Sequence, residues 1–255
     1  MFFKTAVRDL SMANEYKLIG EYHPSIVIGD WVRCETKKRI ENLAKSLESV
    51  VQTIKALAKY RPKYFFMEGT GEVYIPKDHL NNVNLCELIY SPAAGENGAE
   101  IIYLDSENFQ GPNYNTEYDK KCAAIHELEI KCAGVPLGIP KPYRGFLHEL
   151  KSRAFHNWRE KCWVELMERY GSGLVLVGAG HINTLSKKLK AKGHSVEVLF
   201  SAENGQPTLT LEHARILRQI LNRVKDIKRA EILSLESIVD IIEQGKVDAF
   251  VARLP

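Results

Sequence analysis

Two stretches of the chain set an imidazole three residues after a glycine: Gly20-Glu21-Tyr22-His23, which adds an acid suited to proton transfer, and Gly178-Ala179-Gly180-His181. In an extended strand Glu21 and His23 project to the same side and Tyr22 to the other. A carboxylate beside an imidazole orients the ring, fixes its tautomer and raises its basicity. The same pair also suits a hydrogen bond that merely closes a strand end. The glycines before His181 let the backbone turn tightly and bring this histidine to a helix N-terminus, as a base or metal ligand. Glu68 follows the apolar run Tyr64-Phe65-Phe66-Met67, and Asp105 follows Ile101-Ile102-Tyr103-Leu104. Glu68 reads either as a buried hydrogen-bond acceptor in a turn or as a catalytic carboxylate, and burial favours its neutral form unless a cation answers it. Arg159 is available, with Phe155, Cys162 and Trp163 on its helix face. It either stacks and reaches water or turns inward to Glu68, Glu160 or an anionic ligand.

These groups need elements that bring them together. Tyr16 to His23 reads as a strand stopped by Pro24. Between Ile40 and Ala58 apolar residues recur three or four apart, so residues 36–60 form a long amphipathic helix ended by Arg61-Pro62. The run 64–67 is a strand buried on both faces, which makes a βαβ unit with the first strand. Residues 101–104, 174–177 and 195–200 continue as strands. Helical patterns cover 115–133, 144–170 and 181–191, and a Pro/Gly stretch at 134–140 separates the first two. The alternation implies an α/β fold: a mostly parallel central sheet covered by helices on both faces, with a C-terminal helical extension. The expected division is an α/β domain over 1–205 carrying the site and an extension over 206–255 packed on it, built from helices at 211–230 and 234–244. Ligands of such sheets bind outside the carboxyl ends of the strands, where Glu21, Glu68, Asp105 and His181 all fall. The loops 69–98 and 106–143 would wall the pocket and carry no motif.

Composition narrows the function classes. The 255 residues are 45% hydrophobic and 26% charged, the balance of a globular protein, and a net charge of +3 gives no argument for nucleic acid. The basic stripe Arg215, Arg218, Arg223, Lys225, Lys228 and Arg229 lacks aromatic interleaving and reads as a solvated face ahead of a nucleic-acid contact or a dimerising arm. Five scattered cysteines without a C-x-x-C spacing point to reduced thiols in a cytoplasmic protein. No secretory signal is visible at the start, and no run approaches the ~18 apolar residues of a membrane helix. The chain has no G-x-S-x-G elbow and no phosphate-binding loop, and Asn183 replaces the third glycine of a dinucleotide fingerprint at 178–183. His126-Glu127 and His148-Glu149 lack the second histidine of a zincin helix, and Cys122 with His126 reads as packing.

The paired G-x-x-H motifs, the long helix, Arg61-Pro62-Lys63 before a strand ending in Glu68, Asp105 after the next strand, and Arg159-Glu160 with Trp163 and Leu166 together resemble the TraB/TIKI/erythromycin-esterase-like superfamily over residues 16–200. The chain departs from it in Asn157-Trp158 before Arg159, which leaves Arg153 and His156 as alternative equivalents, in Pro24-Ser25 after the first histidine, and in the tail beyond 207. The resemblance implies a hydrolase-like site in a superfamily that includes esterases, metal-dependent peptidases, haem-binding proteins and regulators of signalling peptides. Joined to the residue reading, it gives an ester or amide hydrolase acting on a small molecule or peptide. His23, oriented by Glu21, is the base on water. Glu68 and Arg159 fix the site or steady negative charge, and His181 assists as acid, second base or ligand. Two cofactor readings stay open: none, or a divalent Mn²⁺ or Zn²⁺ ion on Glu21, His23 and His181. The competing class is a non-enzymatic ligand- or haem-binding or regulatory protein.

Overall fold

The computed structural model describes residues 13–22, 36–69, 86–105, 124, 141–204, 207–223 and 229–255. His23, and the helix expected over 115–133 apart from Ala124, lie outside the described residues.

Five strands form one sheet: β1 (Glu15–Glu21), β2 (Tyr64–Met67), β3 (Glu100–Tyr103), β4 (Gly173–Gly178) and β5 (Ser195–Ser201), in the order β3-β2-β4-β1-β5, with every pairing parallel. The strand latest but one in the chain therefore inserts at the centre, between the two strands of the first βαβ unit. Around the sheet lie seven helices among the described residues: α1 (Lys37–Tyr60), α2 (Ser91–Glu96), α3 (Lys141–Tyr170), α4 (Ile182–Ala191), α5 (Leu211–Arg223), α6 (Arg229–Glu243) and α7 (Val247–Val251). This is the α/β architecture expected from the alternation of periods. No described helix is long and apolar enough to cross a membrane.

The alternation along each strand sorts side chains into two cores. Ile19, Phe65, Met67, Leu174 and Leu176 leave one face and pack against α1, α2, α5 and α6. Leu18, Phe66, Val175 and Val177 leave the other and pack against Trp163, Leu166 and Met167 of α3 and Ile182, Leu185 and Leu189 of α4. Helix α1 is delimited by its own chemistry. The Thr36 side chain accepts the Arg39 N–H at its start, and at its end Arg61 takes the left-handed conformation (φ 43°) and donates its N–H to the Leu57 carbonyl.

Several boundaries differ from the sequence reading. Strand β1 was expected to reach His23 but stops pairing at Glu21, opposite Gly178, because β4 ends there. The expected 211–230 helix ends its described run at Arg223, and the next begins at Arg229, five residues before the expected start. Residues 86–96, taken for pocket-wall loop, hold a π-helical turn (Cys86–Tyr90) running into α2. Its Ser-Pro-Ala-Ala-Gly composition reads as a turn, yet Pro92 fits a first helical turn and Ala93 and Ala94 are small enough to bury against the first core.

Candidate functional site

Where β2, β3 and β4 end, their next residues meet α3. The Glu68 carboxylate accepts the Gly178 N–H (2.7 Å) and stands 2.9 Å from the Arg159 guanidinium. Asp105 accepts two bonds from Arg159, Nε to Oδ1 at 3.2 Å and Nη2 to Oδ2 at 2.7 Å. The Trp163 indole N–H (2.7 Å) and the Gly69 backbone N–H (2.9 Å) also donate to Asp105. The Asp105 side chain is 2% exposed and that of Arg159 13%, so neither charge would be tolerable alone. Arg159 also lies 4.7 Å from the Trp163 ring centroid, stacked as well as paired. Burial works against the Arg159 charge, and Asp105 and Glu68 more than offset it.

One residue along α3, Glu160 faces α4. His181 Nδ1 lies 2.8 Å from Glu160 Oε1, and the hydroxyl of Thr184 and the ammonium of Lys188 donate to the same carboxylate. Burial tends to raise the Glu160 carboxyl, but hydrogen bonds from His181, Lys188 and Thr184 outweigh it and hold the group below the ordinary carboxylate value. An ionised carboxylate only accepts, so Nδ1 carries a proton, and it is Nε2 that has the lone pair whenever the ring is neutral. Nε2 lies 3.8 Å from Glu68 Oε1 and makes no hydrogen bond among the described residues. The ring is 4% exposed, with the Trp163 edge 4.9 Å and the His156 ring 4.6 Å from it, centroid to centroid.

His181 reaches this position because Gly178-Ala179-Gly180 leaves β4 through a single 3₁₀ turn before α4 starts. That turn rests on β1 at Gly20, where a Cβ atom would come within 2.6 Å of Ile182 Cγ1 and 3.0 Å of the Ala179 backbone. The glycine of the first motif thus makes room for the histidine of the second.

Of the residues singled out from sequence, Glu68, Arg159 and His181 stand together. Glu21 lies at the same rim but on the face of Ile19, buried against the first core, where the Tyr90 hydroxyl donates to it across 3.4 Å. Arg153, the alternative equivalent of Arg159, is exposed. Glu160 was weighed as a partner for Arg159 and instead holds His181. Thr184 and Lys188 were missed, although His181, Thr184 and Lys188 follow at i, i+3 and i+7, a polar stripe facing α3. Among the described residues no group of three His, Cys, Asp or Glu side chains is placed to hold a metal ion. A groove of about 370 Å³ lined by Ile40, Ala44, Leu209 and Val251 draws on the other core and holds none of these groups.

Comparison of the chain with known protein families, curated proteins and solved structures gave no match.

Proposed function

We propose that the chain is a hydrolase of ester or amide bonds, with His181 as general base and Arg159 as the fixed positive charge beside it. One observation carries the reading. Glu160 holds Nδ1 of a buried imidazole while Nε2, 3.8 Å from the Glu68 carboxylate that holds Arg159, has no hydrogen bond among the described residues. A carboxylate behind the ring sets the tautomer and stabilises the imidazolium that forms when Nε2 takes a proton from water. The water oxygen then attacks the carbonyl carbon, and the proton passes from Nε2 to the departing alkoxide or amine. Arg159, locked on Asp105, offers positive charge that need not reorganise as the carbonyl oxygen becomes negative. Glu68, bound to both Arg159 and the Gly178 N–H, ties the arginine to the turn that carries His181.

The base is placed on His181, whose surroundings are described, rather than on the Glu21–His23 pair, of which His23 lies outside the described residues. The test is turnover of activated esters and anilides, such as 4-nitrophenyl acetate and short peptide 4-nitroanilides, by the wild type and by His181→Gln. Hydrolysis that survives the substitution undiminished removes His181 from the mechanism.

A further inference from the structure

The reaction above leaves one proton to be disposed of. Water gives its first proton through His181 to the leaving group. Its second is on the new carboxylic acid and passes to the vacated Nε2, so that for an ester at neutral pH the products are carboxylate, alcohol and one proton that must leave His181 for solvent. His181 is 4% exposed, its Nδ1 is taken by Glu160 and one side is closed by Trp163. Among the described residues the other ring in contact with it is His156, one turn before Glu160 on α3, exposed to solvent and tilted 39° to His181 with centroids 4.6 Å apart. We propose that His156 is the proton port of the site, exchanging protons between buried His181 and bulk water. The proposal rests on His181 acting as the base.

The surroundings suit a relay. Among the described residues, His181, Arg159, Glu160 and Glu68 are charged or titratable groups that act on His156. Partial burial, then His181 and Arg159, hold its imidazole below the ordinary histidine value, and the two carboxylates pull the other way. A ring that is mostly neutral near pH 7 accepts a proton from His181 and passes it to water without holding it. Because the rings repel each other when both are charged, a proton arriving on one favours release from the other.

The test uses the full-length protein and His156→Gln, which keeps a polar side chain on an exposed helix position. Solvent exchange of the His181 ring proton, followed on ¹⁵N-labelled imidazole, should slow by roughly tenfold, and 4-nitrophenyl acetate turnover in dilute buffer should fall by a similar factor, less than the ~10²–10⁴ expected for loss of the base itself. Added imidazole, after subtraction of its own hydrolysis, should restore both by carrying the proton that His156 no longer carries. Unchanged exchange overturns the relay. So does a slowed variant that imidazole fails to rescue, since His156 then matters only for packing. If His181→Gln abolishes turnover while His156→Gln leaves turnover and exchange alone, the proposed function stands and the relay falls. If the wild type turns over no ester or anilide, the proposed function loses its support and the exchange measurement still decides the relay.

Discussion

Among the described residues two carboxylate–imidazole pairs have a ring that is 5% exposed or less, Glu160–His181 behind the strand ends and Glu48–His213 between α1 and α5, and their second nitrogens separate them. The His213 ring is fully buried, with Nε2 2.9 Å from Glu48 Oε2 and Nδ1 accepting the Thr210 N–H at 3.1 Å. Thr210 precedes the first residue of α5, so His213 does what a glutamate does in a capping box and fastens the helix start to α1. Both of its nitrogens are consumed. In His181 only one is. A carboxylate beside a histidine is therefore no sign of chemistry in itself. What distinguishes a reactive imidazole is a nitrogen left over, next to a fixed cation.

The largest effect should come from exchanging the two histidines' fates. His181→Gln should lower turnover by ~10²–10⁴, the usual range for a positioned acid–base group, with a small change in stability. His213→Gln should do the reverse, leaving turnover per folded molecule intact and lowering the denaturant midpoint. Steady-state kinetics and urea titrations of both variants decide it, and equal kinetic losses would erase the distinction.

Next in size is Arg159→Met. Removing one partner of a buried ion pair leaves Asp105 and Glu68 as uncompensated carboxylates, a loss of ~3–5 kcal/mol in unfolding free energy. The Glu48–His213 pair has no such dependence on a fixed charge, because a neutral imidazole satisfies the carboxylate. An Arg159→Met midpoint within error of the wild type would show that the cluster is far wetter than its burial implies.

Much of the layout was legible before any coordinates. The strands at 64–67, 101–104 and 174–177 announced themselves by apolar runs too short for helices, and α1 by its stripe from Ile40 to Ala58. The residues placed just beyond those runs, Glu68, Asp105 and His181, had to fall at one rim once the strands were parallel. What the sequence hid is lateral order and facing. Nothing local says that β4 inserts between β2 and β1, and that insertion brings Gly178 within reach of Glu68. The side taken by Glu21 follows from the pleat, but its partner Tyr90 belongs to a short helix whose Pro, Ala and Gly residues look like a turn. The partner of Glu160 was missed because adjacent residues on a helix diverge by about 100°, so Arg159 facing the strand ends turns Glu160 toward α4.

Gly20→Ala probes the support of the reactive pair alone. The added methyl meets Ile182 Cγ1 at 2.6 Å, a distance that real side chains do not adopt, and crowds the Ala179 backbone at 3.0 Å. The turn carrying His181 must shift, costing about 1–3 kcal/mol in stability. Turnover per folded molecule should fall as well, because Nε2 moves relative to Arg159. The cap at His213 lies on another element, so the pH response of stability described next should be unchanged. Loss of stability without loss of turnover would mean that the His181 turn tolerates displacement.

The smallest effect is the pH dependence of that cap. Burial holds the His213 imidazole below its ordinary value of 6.5, and Lys55 adds to this, against the opposing pull of Glu48 and Glu212. A protonated Nδ1 would also confront the Thr210 N–H, donor against donor. The unfolded chain therefore takes up a proton near 6.5 that the folded chain refuses. The cap's contribution is complete above 6.5 and declines as pH falls below it, with a slope of at most ~1.4 kcal/mol per pH unit, levelling off at the folded value. His156, also held below 6.5, acts with the same sign in the same window. Glu160, lowered from 4.5, loses its contribution only as the pH falls further, through its own folded value. Urea midpoints between about pH 7.5 and pH 5 should thus fall with acidification in the wild type, more gently in His213→Gln, and more gently again in the double variant with His156→Gln. A His213→Gln profile parallel to that of the wild type would show that the buried cap does not titrate there, and the contrast between the two pairs would then rest on catalysis alone.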